Sequence, residues 1–265
     1  MPANSGAFLR HVTIPNVQLR TTVAVAGVLG ILGVAGLAAI ARTRLPVGDL
    51  YGVKSAAVLA LVMIVAACLV RAHHPFARFG AANQLTTVRA VLVALVAGLI
   101  GEPQVPLVAA AATGLAAIVV ILDGADGWLA RRSGIASEFG ARFDMEVDAL
   151  LIMALATLAW QHGKAGGWVL LSGLLRYVFV AAGWLAPWLA RQLPPSRRRQ
   201  TVCVVQIVGL SVAIAPIVTP PASAIAAATA LLALVASFLV DIIWLWRARR
   251  TTPTTTRVPA FPSSS

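Results

Sequence analysis

The chain has 265 residues, of which 59% are hydrophobic and 11% charged, with a formal net charge of +12. A soluble domain of this length would not be so apolar, so the class is polytopic membrane protein. The positive charge sits between apolar runs and reads as topology and contact with anionic lipid or phosphate; no zinc spacing and no nucleic-acid motif is present.

About 20 apolar residues cross a bilayer as a helix. Eight candidate spans follow in order, at about 22–41, 55–71, 84–101, 105–130, 139–160, 166–189, 201–218 and 222–246. The second is short. Residues 1–20 lack the pattern of a signal peptide, so the first run reads as a retained span. The Thr-, Pro- and Ser-rich tail at 247–265 reads as disordered. Cys68 and Cys203 fall inside apolar runs and read as packing residues.

Arginines mark one set of ends: Arg71 and Arg78, then Arg131, Arg132 and Arg142, then Arg191 and Arg197 to Arg199, then Arg247, Arg249 and Arg250. Within the last six spans the opposite ends carry only Lys164. The positive-inside rule makes the first set cytoplasmic. Arg42, Arg44 and Lys54 are the exception, since they fall on the outer side. Trp160 and Trp168 mark outer ends; Trp128, Trp184, Trp188, Trp244 and Trp246 mark inner ones.

Ahead of the third span lies Asn83-Gln84-Leu85-Thr86-Thr87-Val88-Arg89. From the residues alone it reads as an N-cap by Asn83 and a positive-inside arginine. The stretch from Asp123 to Asp148 is more specific. Asp126, Gly127, Ala130 and Arg131 lie three, four, seven and eight positions after Asp123. At about 3.6 residues per turn all five share one helical stripe. Asp144 and Asp148 follow Gly140 by four and eight and form a stripe on the next helix. If the stripes face each other, four carboxylates converge and require cations. Oxygen-only ligands suit Mg²⁺ or Mn²⁺, and two ions can share such a cluster. Gly127 and Ala130 leave room beside the acids, and Arg131 can pair with a phosphate. Glu146 is about 200° round the helix from Asp144 and should face elsewhere, in a salt bridge.

Asp123, Asp126, Gly127, Ala130, Arg131, Gly140, Asp144 and Asp148 fill every position of D-x2-D-G-x2-A-R-x8-G-x3-D-x3-D. In this the chain resembles the CDP-alcohol phosphatidyltransferases. The resemblance implies an all-α, polytopic membrane bundle with a six-helix core, here preceded by two extra transmembrane helices. The expected division is 1–72 for the tail and extra helices, 73–246 for the catalytic core and 247–265 for the tail. It also implies that Asp123, Asp126, Asp144 and Asp148 bind the metals, with Asp148 also the base. Gly127, Ala130, Arg131 and Gly140 would adjoin the CDP-lipid. Asn83 and Thr86 match the family's nucleotide-lining segment, N-x-L-T-x-x-R. Ser137 matches a hydroxyl position that contacts the CDP-lipid, and reads equally as a helix N-cap.

The expected reaction moves the phosphatidyl group of CDP-diacylglycerol to a small alcohol and releases CMP, in a cavity facing the cytoplasm. Arg176 lies inside an apolar run and reads either as a phosphate ligand or as a partner for the aspartates or Glu146. Arg197, Arg198 and Arg199 read as topology or, by resemblance, as acceptor capture. These four tilt the acceptor toward glycerol 3-phosphate, with inositol phosphate, inositol, serine and choline as alternatives. The partners are thus the CDP-lipid, the acceptor and membrane lipids, with a homodimer as an option and no nucleic acid. Other classes are a divalent-cation carrier or channel and a catalytically silent lipid-binding member. The small residues and Arg131 on the aspartate stripe disfavour an ion path, and the intact aspartates disfavour the silent member.

Overall fold

The computed structural model describes residues 17–73, 81–133, 138–191, 193–194 and 196–250, with side chains described for 24–67, 84–124, 140–191, 193, 194 and 196–249. These residues form eight α-helices and no strand. They are α1 (Val17–Arg44), α2 (Tyr51–His73), α3 (Ala81–Gly98), α4 (Pro106–Ser133), α5 (Glu138–Gln161), α6 (Leu171–Leu185), α7 (Arg197–Ile214) and α8 (Ala222–Arg250). The chain is an all-helical membrane bundle. Four described stretches are long and apolar enough to cross a bilayer: Ala24–Arg44, Pro106–Gly124, Gly167–Leu185 and Ala222–Arg249. The charges at the starts of α5 and α7 dilute the hydropathy of those two helices.

Two boundaries differ from the hydropathy reading. The span expected at 201–218 is a helix over Arg197–Ile214, so the triple arginine forms its first turn. Its start follows Ser196, which is extended (φ −139°, ψ 122°), and Pro216 lies just past its end. The span expected at 166–189 begins as a 3-10 turn at Gly167–Leu170 and stops at Leu185. Ala186 leaves helical geometry (φ −127°, ψ 87°) because Pro187 follows it. Asn83 lies within the first turn of α3 and is not its cap.

The bundle is organised around α3 and α5. Val93, Ala94 and Val96 of α3 and Leu99 just past its end, with Leu151, Leu155 and Leu158 of α5, are fully buried. Large apolar side chains such as Leu32, Ile121 and Leu232 are instead exposed, as a lipid-facing belt requires. Without a hydrophobic drive between helices in lipid, close packing depends on small residues. A Cβ on Gly209 would lie 2.7 Å from the Ala230 Cβ, so glycine lets α7 and α8 touch. A Cβ on Gly98 would overlap Ser55 Oγ, so glycine lets α2 and α3 touch as well.

At the end of the bundle that holds the turn between α3 and α4, polar contacts tie α2 to α3 and α5. Tyr51 Oη donates to the Leu95 carbonyl at 3.2 Å, and Lys54 Nζ donates to the Ile100 carbonyl at 2.9 Å. Glu102, in the turn between α3 and α4, pairs with Lys54 and accepts the Gly48 N–H at 2.6 Å. Gln161 Nε2 donates to the Glu102 carbonyl at 2.9 Å, tying α5 to the same turn. Burial alone would raise the Glu102 carboxyl, but the Gly48 N–H and the Lys54 ammonium outweigh it and hold the group below the ordinary glutamate range.

A carboxyl depressed in this way stabilises the fold above its unfolded pKa of about 4.3, and the gain is lost as pH falls through the folded value. Glu102→Gln should therefore lower the thermal midpoint at pH 7. The deficit against wild type should shrink below about pH 4. A deficit that stayed constant into acid would assign the effect to packing instead of charge.

Candidate functional site

The site is built where α3, α4, α5 and α7 meet. Asp144 and Asp148 are one turn apart on α5, and Asp123 comes from α4. One carboxylate oxygen from each lies within 4.8 Å of the others. The facing stripes expected from the spacing are thus present for these three acids. Asp126, Gly127, Ala130 and Arg131 lie on α4, with side chains outside those described. Ser137 lies outside the described residues.

At the centre stands Arg89 of α3, whose side chain is 0% exposed. Its guanidinium pairs with Asp123 at 2.8 Å, with Asp148 at 2.5 Å and with Asp144. The positive-inside reading of Arg89 missed this role. The signal was available in outline: several acids inside an apolar bundle require a buried cation, and a guanidinium forks between carboxylates. Cys203 of α7 was also misread as packing alone. Its thiol donates to Asp148 Oδ2 at 3.5 Å.

Three carboxylates and one guanidinium leave two negative charges uncompensated among these four groups. Bringing such charge out of water is costly unless more cation joins it. The three carboxylates form an all-oxygen donor set whose spacing fits a hard divalent cation, and the neighbouring Cys203 thiol is engaged as a hydrogen-bond donor to Asp148.

The remaining candidates fall in distinct places. Thr86, one turn before Arg89, is 4% exposed and faces the interior of the bundle. Asn83 is in the first turn of α3, with its side chain outside those described. Gly140 lies in the first turn of α5, one turn before Asp144. Arg176 of α6 pairs with Glu146, which sits between Asp144 and Asp148 in sequence but points away from them. Arg198 Nη1 donates to the Ser237 carbonyl at 2.6 Å, and Arg198 also pairs with Asp241, so it ties α7 to α8. Arg199 lies 3.6 Å from Asp241, and Arg197 is exposed. Among the described residues no contact joins Arg176 or Arg197 to Arg199 to the three aspartates.

Residues 79–243 match the family model described as CDP-alcohol phosphatidyltransferase. No curated protein and no solved structure matches the chain.

Proposed function

Because the chain belongs to the CDP-alcohol phosphatidyltransferase family, we propose that it transfers the phosphatidyl group of CDP-diacylglycerol to a small polar alcohol, with release of CMP. The observation that carries this is the convergence of Asp123, Asp144 and Asp148 inside an apolar helical bundle. The family uses divalent metals. Here Asp123, Asp126, Asp144 and Asp148 would hold two Mg²⁺ or Mn²⁺ ions, which when bound neutralise the pyrophosphate and the charge that builds up on it.

The chain's own groups do the rest. The acyl chains stay in lipid while the head group enters from the cytoplasmic side. Gly127 and Ala130 let the nucleotide approach α4, and Arg131 pairs with its phosphates; Asn83, Thr86, Ser137 and Gly140 border the same pocket. Asp148 takes the acceptor's hydroxyl proton as that oxygen bonds to the phosphorus bearing diacylglycerol, and the bond from that phosphorus to CMP breaks. Glycerol 3-phosphate is the favoured acceptor, on the cationic character of α6 and α7. Arg176 would reach its phosphate by exchanging Glu146, and Arg197, Arg198 and Arg199 would draw it to the entrance. The division at 1–72, 73–246 and 247–265 belongs to the same reading.

The test is direct. Purified protein is incubated with CDP-diacylglycerol, Mg²⁺ or Mn²⁺, and glycerol 3-phosphate, inositol 1-phosphate, inositol, serine or choline in turn, following CMP and the lipid product. One acceptor should give both products. EDTA should abolish CMP release, and either ion should restore it. Full activity after thorough chelation would exclude metal ligation by the aspartates as the basis of the reaction.

A further inference from the structure

Gln206 of α7 is 0% exposed, yet among the described residues neither its Oε1 nor its Nε2 has a hydrogen-bond partner. An amide buried without partners costs roughly 1–3 kcal/mol. Its place in the fold points to what it holds. Gln206 is three residues past Cys203, on the same stripe of α7, and the Cys203 thiol reaches Asp148. Helical side chains lean toward the N-terminus of their own helix, so the Gln206 amide leans back toward the level of Cys203 and the carboxylates. The fully buried residues of α4 and α5 near this depth, Ala116, Val119, Leu151 and Leu155, offer no side-chain donor or acceptor. Two other unpartnered buried atoms, Ser172 Oγ in the first turn of α6 and His162 Nε2 just past the end of α5, lie away from the aspartates.

We propose that Gln206 is the inner wall of the acceptor site and holds one hydroxyl oxygen beside Asp148, with Nε2 donating to it and Oε1 accepting from it. An amide that offers both a donor and an acceptor matches a group that does the same, which a carboxylate or a phosphate dianion does not. Two sources share this chemistry: a hydroxyl of the acceptor alcohol, or a water bridging to Asp148. The inference rests on the transfer reaction proposed above.

The experiment uses full-length protein carrying Gln206→Leu and, separately, Gln206→Met, assayed with CDP-diacylglycerol and whichever of the five acceptors wild type turns over. Wild type that transfers to none of them would overturn the reaction itself. With wild type active, Gln206→Leu should raise the acceptor KM about tenfold and leave the KM for CDP-diacylglycerol within about twofold, the loss of one buried hydrogen-bond pair. That outcome assigns an acceptor hydroxyl. An equivalent fall in kcat with both KM values unchanged assigns a bridging water. Thermal midpoints of both variants should equal or exceed that of wild type, since the amide has no protein partner to lose. Unchanged kinetics in both variants, a KM increase confined to CDP-diacylglycerol, or loss of the folded state in both would overturn the assignment.

Discussion

Asp148→Asn should lower the rate of CMP release by about 10³-fold or more while the protein remains folded. The substitution keeps the shape of the side chain but removes a metal-ligating charge and the basicity that general-base catalysis needs, which alone is worth roughly 10²–10⁴-fold. Asp148 suits this role by position: its side chain is 16% exposed, one oxygen faces Arg89 and the other receives the Cys203 thiol. Glu146→Gln is the control. Glu146 is two residues away but on the far side of α5, paired with Arg176. It should cost less than about tenfold, because the pair lies outside the cluster. Equal losses in the two variants would mean that the chemistry does not run on the Asp144–Asp148 face.

Arg89→Met should be the most destabilising single change near the site, and its effect should depend on divalent ions. Removing one partner of a buried ionic cluster typically costs about 3–5 kcal/mol, because the remaining charges stay uncompensated. The lower end applies here, since Asp123 and Asp144 are 31% and 37% exposed and partly screened. In EDTA the thermal midpoint should fall by roughly 5–10 °C. Millimolar Mg²⁺ or Mn²⁺ should recover more of the midpoint in the variant than it adds to wild type, because the ion supplies the missing positive charge. Arg89→Lys should fall between, as a point charge cannot fork among three carboxylates. A deficit of the same size with and without divalent ions would show that Arg89 supports the fold by packing and not by charge.

What could be read from the chain alone was local. An apolar run long enough for the bilayer is a helix wherever it occurs, since a backbone in lipid must satisfy its own hydrogen bonds. The eight helices were legible for that reason, and so were the stripes of Asp123 and of Asp144 with Asp148, which need only the helical repeat. Boundaries set by proline and by charged first turns, as at Arg197 and Ala186, were not visible to hydropathy.

The partnerships across helices were decided by tertiary structure alone. Arg89 is 34 positions before Asp123, and Cys203 is 55 after Asp148; no helical period links residues so far apart. They meet because α3 packs against α4 and α5, and α7 packs against α5. In an apolar run an arginine looks the same whether it marks a membrane face, pairs with Glu146 or sits among three aspartates. Only the packing of α3 against α4 and α5 makes Arg89 the last of these, since a guanidinium in that interior is stable where the carboxylates are.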